Sequence, residues 1–383
     1  MGKYSYELLK LIEPEFGSDL VSLIIDLDYL RKKELEGTTP ERIFFQLKGL
    51  FHMLESIGSA HIEGNHTTIA EFIDTKIISR NKSDENIREI SNVESVLGFI
   101  DKHVKKDTRI DGEFIRELHR RVVQGLSSDK EGDLTPGEYR SRNIKIPGSA
   151  HVPPDHMEVR KYMKELTAFI NAPDPQKYDL LKVAIAHHRF VWIHPFRNGN
   201  GRTVRLLTYA QLLKAGFNVD AGGRIINPTA IFCSDRDSYY DQLSIADSGN
   251  KKDLINWSEY VLKGLKNEIE KVDKLTDYSY LSEKILLPAL DYSLERRLIT
   301  DLEANVLKIA VNECQFQASD LKDLFPGKFS THVSRYLTGM KGRKLISPLT
   351  KNGRIYSIDF KNSYILRGVI HMLDVNGFLP LKV

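Results

Sequence analysis

The sequence predicts a mainly α-helical protein, a helical bundle interrupted once by a β-hairpin flap and followed by a small helix-and-hairpin unit. Three observations carry this. Apolar residues recur at helical spacing through most of residues 38 to 272. GEYRSRNIKIPGSAHVPP, residues 137 to 154, breaks the pattern with alternating residues mixed with Gly, Ser and Pro. From Thr300 onward shorter helical segments alternate with turn signals and end in Lys351-Asn352-Gly353-Arg354, where Asn-Gly marks a hairpin.

The elements follow in order. TTPERIFFQLKGLFHMLESIGSAHI opens with a Thr cap before Pro40 and repeats apolar residues at Phe44, Leu47, Phe51 and Leu54, an amphipathic helix. Glu63 stands at its end, and Gly64 supplies a left-handed terminator. Further helices are expected over 88–104, 112–125, 155–171, 177–193, 201–215 and 252–272. Spacing loosens over 273–299, which reads as a connector. DLEANVLKIAVNE, ASDLKDLF, a turn at Pro326-Gly327, STHVSRYLTGMKG and the hairpin then give the order of a winged helix-turn-helix over 300–383.

At 383 residues the chain should hold two or three cores, at about 100–200 residues per domain. Its 41% hydrophobic and 28% charged residues are ordinary for a globular protein, and no run approaches the roughly 18 apolar residues of a membrane span. The first residues, MGKYSYELLK, lack a secretory apolar region, and Tyr6 stands where N-myristoylation wants Ser or Thr, so the expected location is the cytoplasm. Two cysteines without a CxxC pattern, Cys233 and Cys314, argue against a disulfide framework and a structural zinc site.

HPFRNGNGR, residues 194 to 202, is the stretch that carries chemistry. Pro195 turns the chain out of a helix at His194, so the imidazole is presented at a helix exit. Gly199 and Gly201 allow close backbone approach, and a new helix begins at once, so its N-terminal amides face an anion. Arg202 and Arg205 are three apart on one face of that helix. Guanidinium pairs with phosphate, and imidazole takes a proton from a hydroxyl, so phosphoryl or nucleotidyl transfer follows. The GxxxxGK[ST] pattern of a Walker loop is absent.

HPFRNGNGR with Arg205 resembles the Fic motif, HPFx(D/E)GNGRxxR, of enzymes that move AMP from ATP to a protein hydroxyl. HHRFVWI, with His187, Phe190 and Ile193, resembles the helix leading into it; the 137–154 segment resembles the family's flap, and DRDSYYDQL its later helix. The resemblance covers roughly residues 40 to 270. It implies a Fic-type bundle divided as 1–110 with an inhibitory helix, 111–272 as catalytic core, 273–299 as connector and 300–383 as the winged unit.

It also implies roles. His194 would be the base toward a Tyr, Ser or Thr hydroxyl, with Phe196 anchoring the loop. Gly199, Asn200 and Gly201 would cradle the α-phosphate region, and Arg202, Thr203, Val204 and Arg205 would complete the nucleotide site, the arginines on the distal phosphates. Cys233 would line the adenine pocket, and the flap would align the target by strand-like pairing. SAHIEGN matches the family's inhibitory [S/T]xxxE[G/N], with Ser59 and Glu63 four apart on one helical face and Glu63 paired with Arg205. One position departs: the metal-binding Asp or Glu is Asn198, whose amide oxygen adds no charge, so Mg²⁺ binding is expected to be weakened.

Two functions are in play: an ATP-using protein adenylyltransferase autoinhibited by Glu63, and a DNA-binding regulator whose Fic-like domain senses nucleotide with weak or no activity. Lys328, Arg335, Lys341, Arg343, Lys344, Lys351 and Arg354 follow one another without an Asp or Glu, which makes 328–354 a candidate DNA surface. The remaining candidate partners are a protein target, the chain itself as substrate and a second copy as a homodimer; no membrane is expected.

Overall fold

The computed structural model describes residues 9–32, 37–78, 84–217, 228–328, 330–361 and 364–379. The helices are α1 (Asp19–Lys32), α2 (Glu41–Ile62), α3 (Ile69–Ile78), α4 (Glu85–His103), α5 (Gly112–Val122), α6 (Val159–Ile170), α7 (Asp179–Ile193), α8 (Asn200–Lys214), α9 (Thr229–Cys233), α10 (Arg236–Ala246), α11 (Lys251–Asp273), α12 (Tyr278–Leu281), α13 (Leu287–Glu295), α14 (Asp301–Asn312), α15 (Ser330–Gly342) and α16 (Leu366–Val375). Among the described residues three strands form one antiparallel sheet in the order β1 (Phe316–Gln317), β3 (Ile355–Ile358), β2 (Ile346–Pro348).

Two compact units divide the chain: residues 1–34, 52–67 and 83–270 in one, and 35–51, 68–82 and 271–383 in the other. The long helix α2 therefore contributes its first half to one unit and its last three turns to the other.

In the first unit α7 is buried on every side but Asp179 and Val191, and α8 is buried from Arg202 to Leu213. A helix that hides all its faces forms the centre of a bundle, and α4, α5 and α6 surround this pair. The Trp257 indole, wholly buried, donates to the Ala184 carbonyl at 2.7 Å and ties α11 to α7. Burying so much polar main chain needs no further partners, because helices satisfy their own amides.

The 137–154 segment differs from the expected hairpin. It turns at Gly148, with φ of 74°, but contains no strand. Side chains close it instead. Asn143 donates to Asp155 at 3.0 Å and accepts from the His156 amide at 2.8 Å, so the ends meet without a β-ladder.

In the second unit Thr39 does not cap α2; its hydroxyl donates to the Thr276 carbonyl at 2.8 Å. The expected connector at 273–299 is mostly helical. Lys274–Thr276 is a 3-10 turn, and α12 runs through a π turn, Ser282–Leu286, into α13. Leu281, Ile285, Leu286, Ala289 and Leu290 are buried, so the stretch contributes core rather than linker. ASDLKDLF folds as a 3-10 helix, Ala318–Leu324, between β1 and α15. The hairpin lies where Asn-Gly indicated: β2 and β3 pair Ile346 with Ile358 and Pro348 with Tyr356, and Asn352 takes the left-handed turn position at φ of 69°.

Candidate functional site

His194 caps the C-terminus of α7 in the left-handed region, φ 49° and ψ 62°, and Pro195 forbids continuation of the helix. Left-handed backbone is costly for a residue with a Cβ, so the surroundings must impose it. Arg140, in GEYR, does so. Its Nε donates to the His194 carbonyl at 2.9 Å, its amide to the Pro195 carbonyl at 2.9 Å, and its Nη2 to the Pro154 carbonyl at 2.5 Å. One buried guanidinium thus joins both ends of the 137–154 segment to the loop.

The Val191 carbonyl lies 3.2 Å from His194 Nδ1. A carbonyl only accepts, which assigns the proton to Nδ1 and leaves a lone pair on Nε2. Desolvation of the ring pushes its pKa down to about 4; the Val191 contact opposes this, and His151 adds to it. The imidazole is neutral at physiological pH.

Phe196 is fully buried and stacks on His119, ring centroids 3.7 Å apart. Asn200 clamps the turn from within. Its Oδ1 accepts from the Phe196 amide and its Nδ2 donates to the Phe196 carbonyl, both at 2.9 Å. Gly199 has φ of 70°, and a Cβ there would lie 2.9 Å from Val123, so two constraints demand glycine. Thr203 donates its hydroxyl to the Gly199 carbonyl at 2.8 Å, and Val204 lies in the core. Asn200, Thr203 and Val204 direct their side chains into the protein, so ligand contact there falls to main-chain groups at the start of α8.

Arg205 and Arg202 are both buried, and both face carboxylates. Arg205 Nε donates to Ser59 Oγ at 2.8 Å, while its Nη2 donates to the Ser59 carbonyl at 2.8 Å and to Glu63 Oε1 at 2.7 Å. Ser59 and Glu63 are one turn apart at the end of α2, and Gly64, φ 101°, turns the chain away after them. Burial works against ionisation of Glu63, but Arg205 and then Arg202 outweigh it and hold the carboxyl below its usual range. A Cβ on Gly201 would come within 2.1 Å of Glu63 Oε1. The carboxylate therefore rests against the first turn of α8, where the helix dipole favours an anion.

Arg202 reaches Glu89 Oε1 at 2.9 Å and Glu131 Oε2 at 2.8 Å, and donates to the Glu131 carbonyl at 2.8 Å. The motif indicates neither carboxylate. Glu89 lies on α4 far upstream, and Glu131 in the loop before the 137–154 segment, where carboxylates are ordinarily solvated. Arg140 and His119 were equally hidden, since only folding brings them to the loop.

Asn198 donates Nδ2 to the Lys130 carbonyl at 2.6 Å and accepts the Gly199 amide on Oδ1 at 2.7 Å. Among the described residues no group of three His, Cys, Asp or Glu side chains converges on a metal position. Both ends of the Asn198 amide are thus engaged within the protein. Cys233 packs against α2: its Sγ lies 3.6 Å from the Gly58 carbonyl, and burial pushes the thiol up to about 12.

Residues 109–212, which hold the His194 loop, Arg140, Arg202 and Arg205, match the Fic/DOC family. The chain carries a Fic/DOC family domain. It is 31% identical over 201 residues to protein adenylyltransferase Fic of Nematostella vectensis, covering 51% of this chain and 43% of that protein. With the protein of the same name from Aedes aegypti it is 31% identical over 211 residues, 54% of this chain and 38% of the relative. The chain thus spans less than half the length of these curated relatives. A Fic domain containing signaling protein of Bacteroides thetaiotaomicron superposes with a TM-score of 0.53 at 22% identity, covering 68% of this chain and 98% of that one. A Fic family protein of Desulfovibrio desulfuricans gives 0.52 at 18% identity, covering 90% and 97%. At these identities the solved structures speak for the Fic fold alone. No helix among the described residues is long and apolar enough to cross a membrane.

Proposed function

We propose that this Fic-domain chain is a protein adenylyltransferase that transfers AMP from ATP to a Tyr, Ser or Thr hydroxyl of a protein target, and that Glu63 holds it inactive. The observation that carries the reading is the pairing of His194, its Nε2 lone pair free of the Val191 contact, with two buried arginines on the adjoining helix, one of them occupied by Glu63. Curated relatives named protein adenylyltransferase Fic support it.

In this reading the target hydroxyl loses its proton to His194 Nε2 while its oxygen attacks the α-phosphorus of ATP. The bond from that phosphorus to the bridging oxygen breaks, pyrophosphate leaves, and AMP remains as an ester on the target. Backbone amides at the start of α8 and the Arg202 and Arg205 guanidiniums stabilise the phosphate charge. Glu63 occupies Arg205 and the first turn of α8, so a polyphosphate cannot settle in line with the hydroxyl. Arg140 keeps His194 in its left-handed pose and so positions the base.

Incubation of the full chain with labelled ATP and cell lysate, in wild type and His194→Ala, tests the proposal. Label that depends on His194 supports it. Nucleotide binding without any His194-dependent label would favour the second reading, a nucleotide-sensing DNA-binding regulator.

That second reading rests on α15 and the β2–β3 turn, read as the recognition helix and wing of a winged helix-turn-helix. Lys328, Arg335, Lys341, Lys344, Lys351 and Arg354 are all exposed. A Cβ on Gly339 or Gly342 would meet nothing within 4 Å, so the helix face is low and open. Such a surface suits the backbone of duplex DNA. Arg343 does not belong to it, since it pairs with Glu303 and donates to the Leu298 carbonyl at 2.6 Å.

A further inference from the structure

We propose that the loop at residues 130–133 supplies a second, displaceable counter-ion at the phosphate end of the site, with Glu131 competing for Arg202 against the polyphosphate tail of a bound nucleotide. This rests on the reading that the start of α8 receives nucleotide phosphates.

The two carboxylates that hold Arg202 are not equivalent. Glu89 is 1% exposed, and its second oxygen accepts from Asn65 Nδ2 at 2.8 Å; Asn65 in turn donates to the Asn86 carbonyl and accepts from the Thr67 amide. It is locked in place. The Glu131 side chain is 38% exposed and touches Arg202 from the solvent side. An exposed partner can be exchanged at small cost, because water takes it up.

Charge count points the same way. Two guanidiniums, Arg202 and Arg205, face three carboxylates, Glu63, Glu89 and Glu131. Burial, and then the neighbouring Glu89 and Glu63, raise the Glu131 pKa against the pull of Arg202, so its anion is disfavoured there. A polyphosphate brings more negative charge into a site that already holds an excess, and it can enter only as carboxylates leave. Glu63 is one of these, and Glu131 is the other that solvent can receive.

The loop itself stays fixed during this exchange. Gly132 and Lys130 both donate to the Ser127 carbonyl, at 2.8 and 3.0 Å, and a Cβ on Gly132 would lie 2.2 Å from the Leu126 carbonyl oxygen. Asp133 accepts from the Thr135 amide at 2.9 Å, and its carboxylate is 3.6 Å from His119. Asn198 completes the attachment through the Lys130 carbonyl. That contact gives the side-chain amide at 198 a reason of its own: a carboxylate there has no proton to donate and sets oxygen against oxygen, with the Asp133 carboxylate already 3.4 Å from the Asn198 main-chain nitrogen. Asn198 and Glu131 thus act together, one fixing the loop and the other presenting a removable anion.

The test is calorimetric binding of ATP, ADP and AMP to the full chain in the Glu63→Gly background, with and without Glu131→Gln. Glutamine keeps the shape and an acceptor but removes the charge. ATP and ADP should bind roughly two- to fivefold more tightly, the range set by one half-exposed ion pair, and AMP should not change. Asn198→Asp should speed amide hydrogen exchange across 130–133. ATP affinity unchanged or weaker in Glu131→Gln with the fold intact, or an equal gain for AMP, overturns the proposal. Because these are binding measurements, tighter ADP in a chain that transfers no AMP would sustain this inference while removing the adenylyltransferase reading; a chain that binds no nucleotide in either background removes both.

Discussion

Cations are used in opposite ways by the two units of this chain. At the start of α8 in the first unit, Arg202 and Arg205 are buried and every one of their ion-pair contacts is to a specific carboxylate. Between residues 328 and 354 in the second unit, six of seven cations stand in solvent, and the sequence there contains no acid to meet them. Burial makes the difference. A desolvated guanidinium must be met by specific counter-charges, so its surroundings are fixed and its release acts as a switch. A solvated ammonium keeps its water, fixes nothing, and acts through long-range charge.

The sharpest test of the buried side is His194→Ala. Loss of a positioned base should lower AMP incorporation by about 10²–10⁴-fold, whatever residue stands at 63. Rates at equal folded concentration, with the fold checked by thermal melting, decide it; a variant that keeps the wild-type rate breaks the assignment of His194 as base.

Glu63→Gly should raise incorporation by an order of magnitude or more, since misplaced phosphates can cost about 10²-fold. The gain should appear in rate more than in ATP affinity. Arg205→Ala in the same background should erase it, because the freed partner is then missing. Wild type and Glu63→Gly with equal incorporation would reduce the Glu63 contact to an ordinary helix-end ion pair.

On the exposed side, duplex DNA affinity should fall with salt, by about 0.9 logarithmic units per decade of salt for each phosphate contacted. Arg335→Ala should flatten that slope, and Arg343→Ala should leave it alone while lowering the melting temperature through loss of the Glu303 pair. Electrophoretic mobility shifts at several salt concentrations measure both. A slope that responds equally to the two variants would erase the contrast between matched and unmatched arginines.

The pH response is the smallest effect expected. His194 titrates near 4 rather than at the ordinary 6.5, so the unfolded chain binds its proton first. Its contribution to stability is complete above 6.5 and is lost as pH falls toward and through 4. The transfer rate of Glu63→Gly should likewise hold between pH 8 and 5 and drop only below. An acid limb centred near 6.5 would mean that the imidazole is solvated, unlike the arginines beside it.

Much of the molecule could be read from residues alone, and the reason is local. Helices α4 to α8 and α11 follow from apolar spacing, Gly64 from its left-handed turn, the β2–β3 turn from Asn-Gly, and the loop at 194–202 from the few residues whose backbones can form it. The helical stretch at 273–299 escaped, because a π turn shifts the apolar stripe and blurs the period. The 137–154 segment has the composition of a hairpin, but only the assembled protein supplies the side-chain bonds that close it without strands.

By itself the sequence determined which chemistry was on offer: an imidazole at a helix exit, a glycine-bounded turn and two arginines a helical turn apart. Tertiary structure alone decided what those groups touch. Glu89 and Glu131 meet Arg202 across 113 and 71 residues of chain, Arg140 reaches His194 across 54, and residues 35–51 and 68–82 join 271–383 in one core. Periodicity records what each residue does to its own backbone over one or two turns. It carries no record of a partner whose only claim on the site is that, once α8 is buried, a guanidinium there cannot be left without a carboxylate.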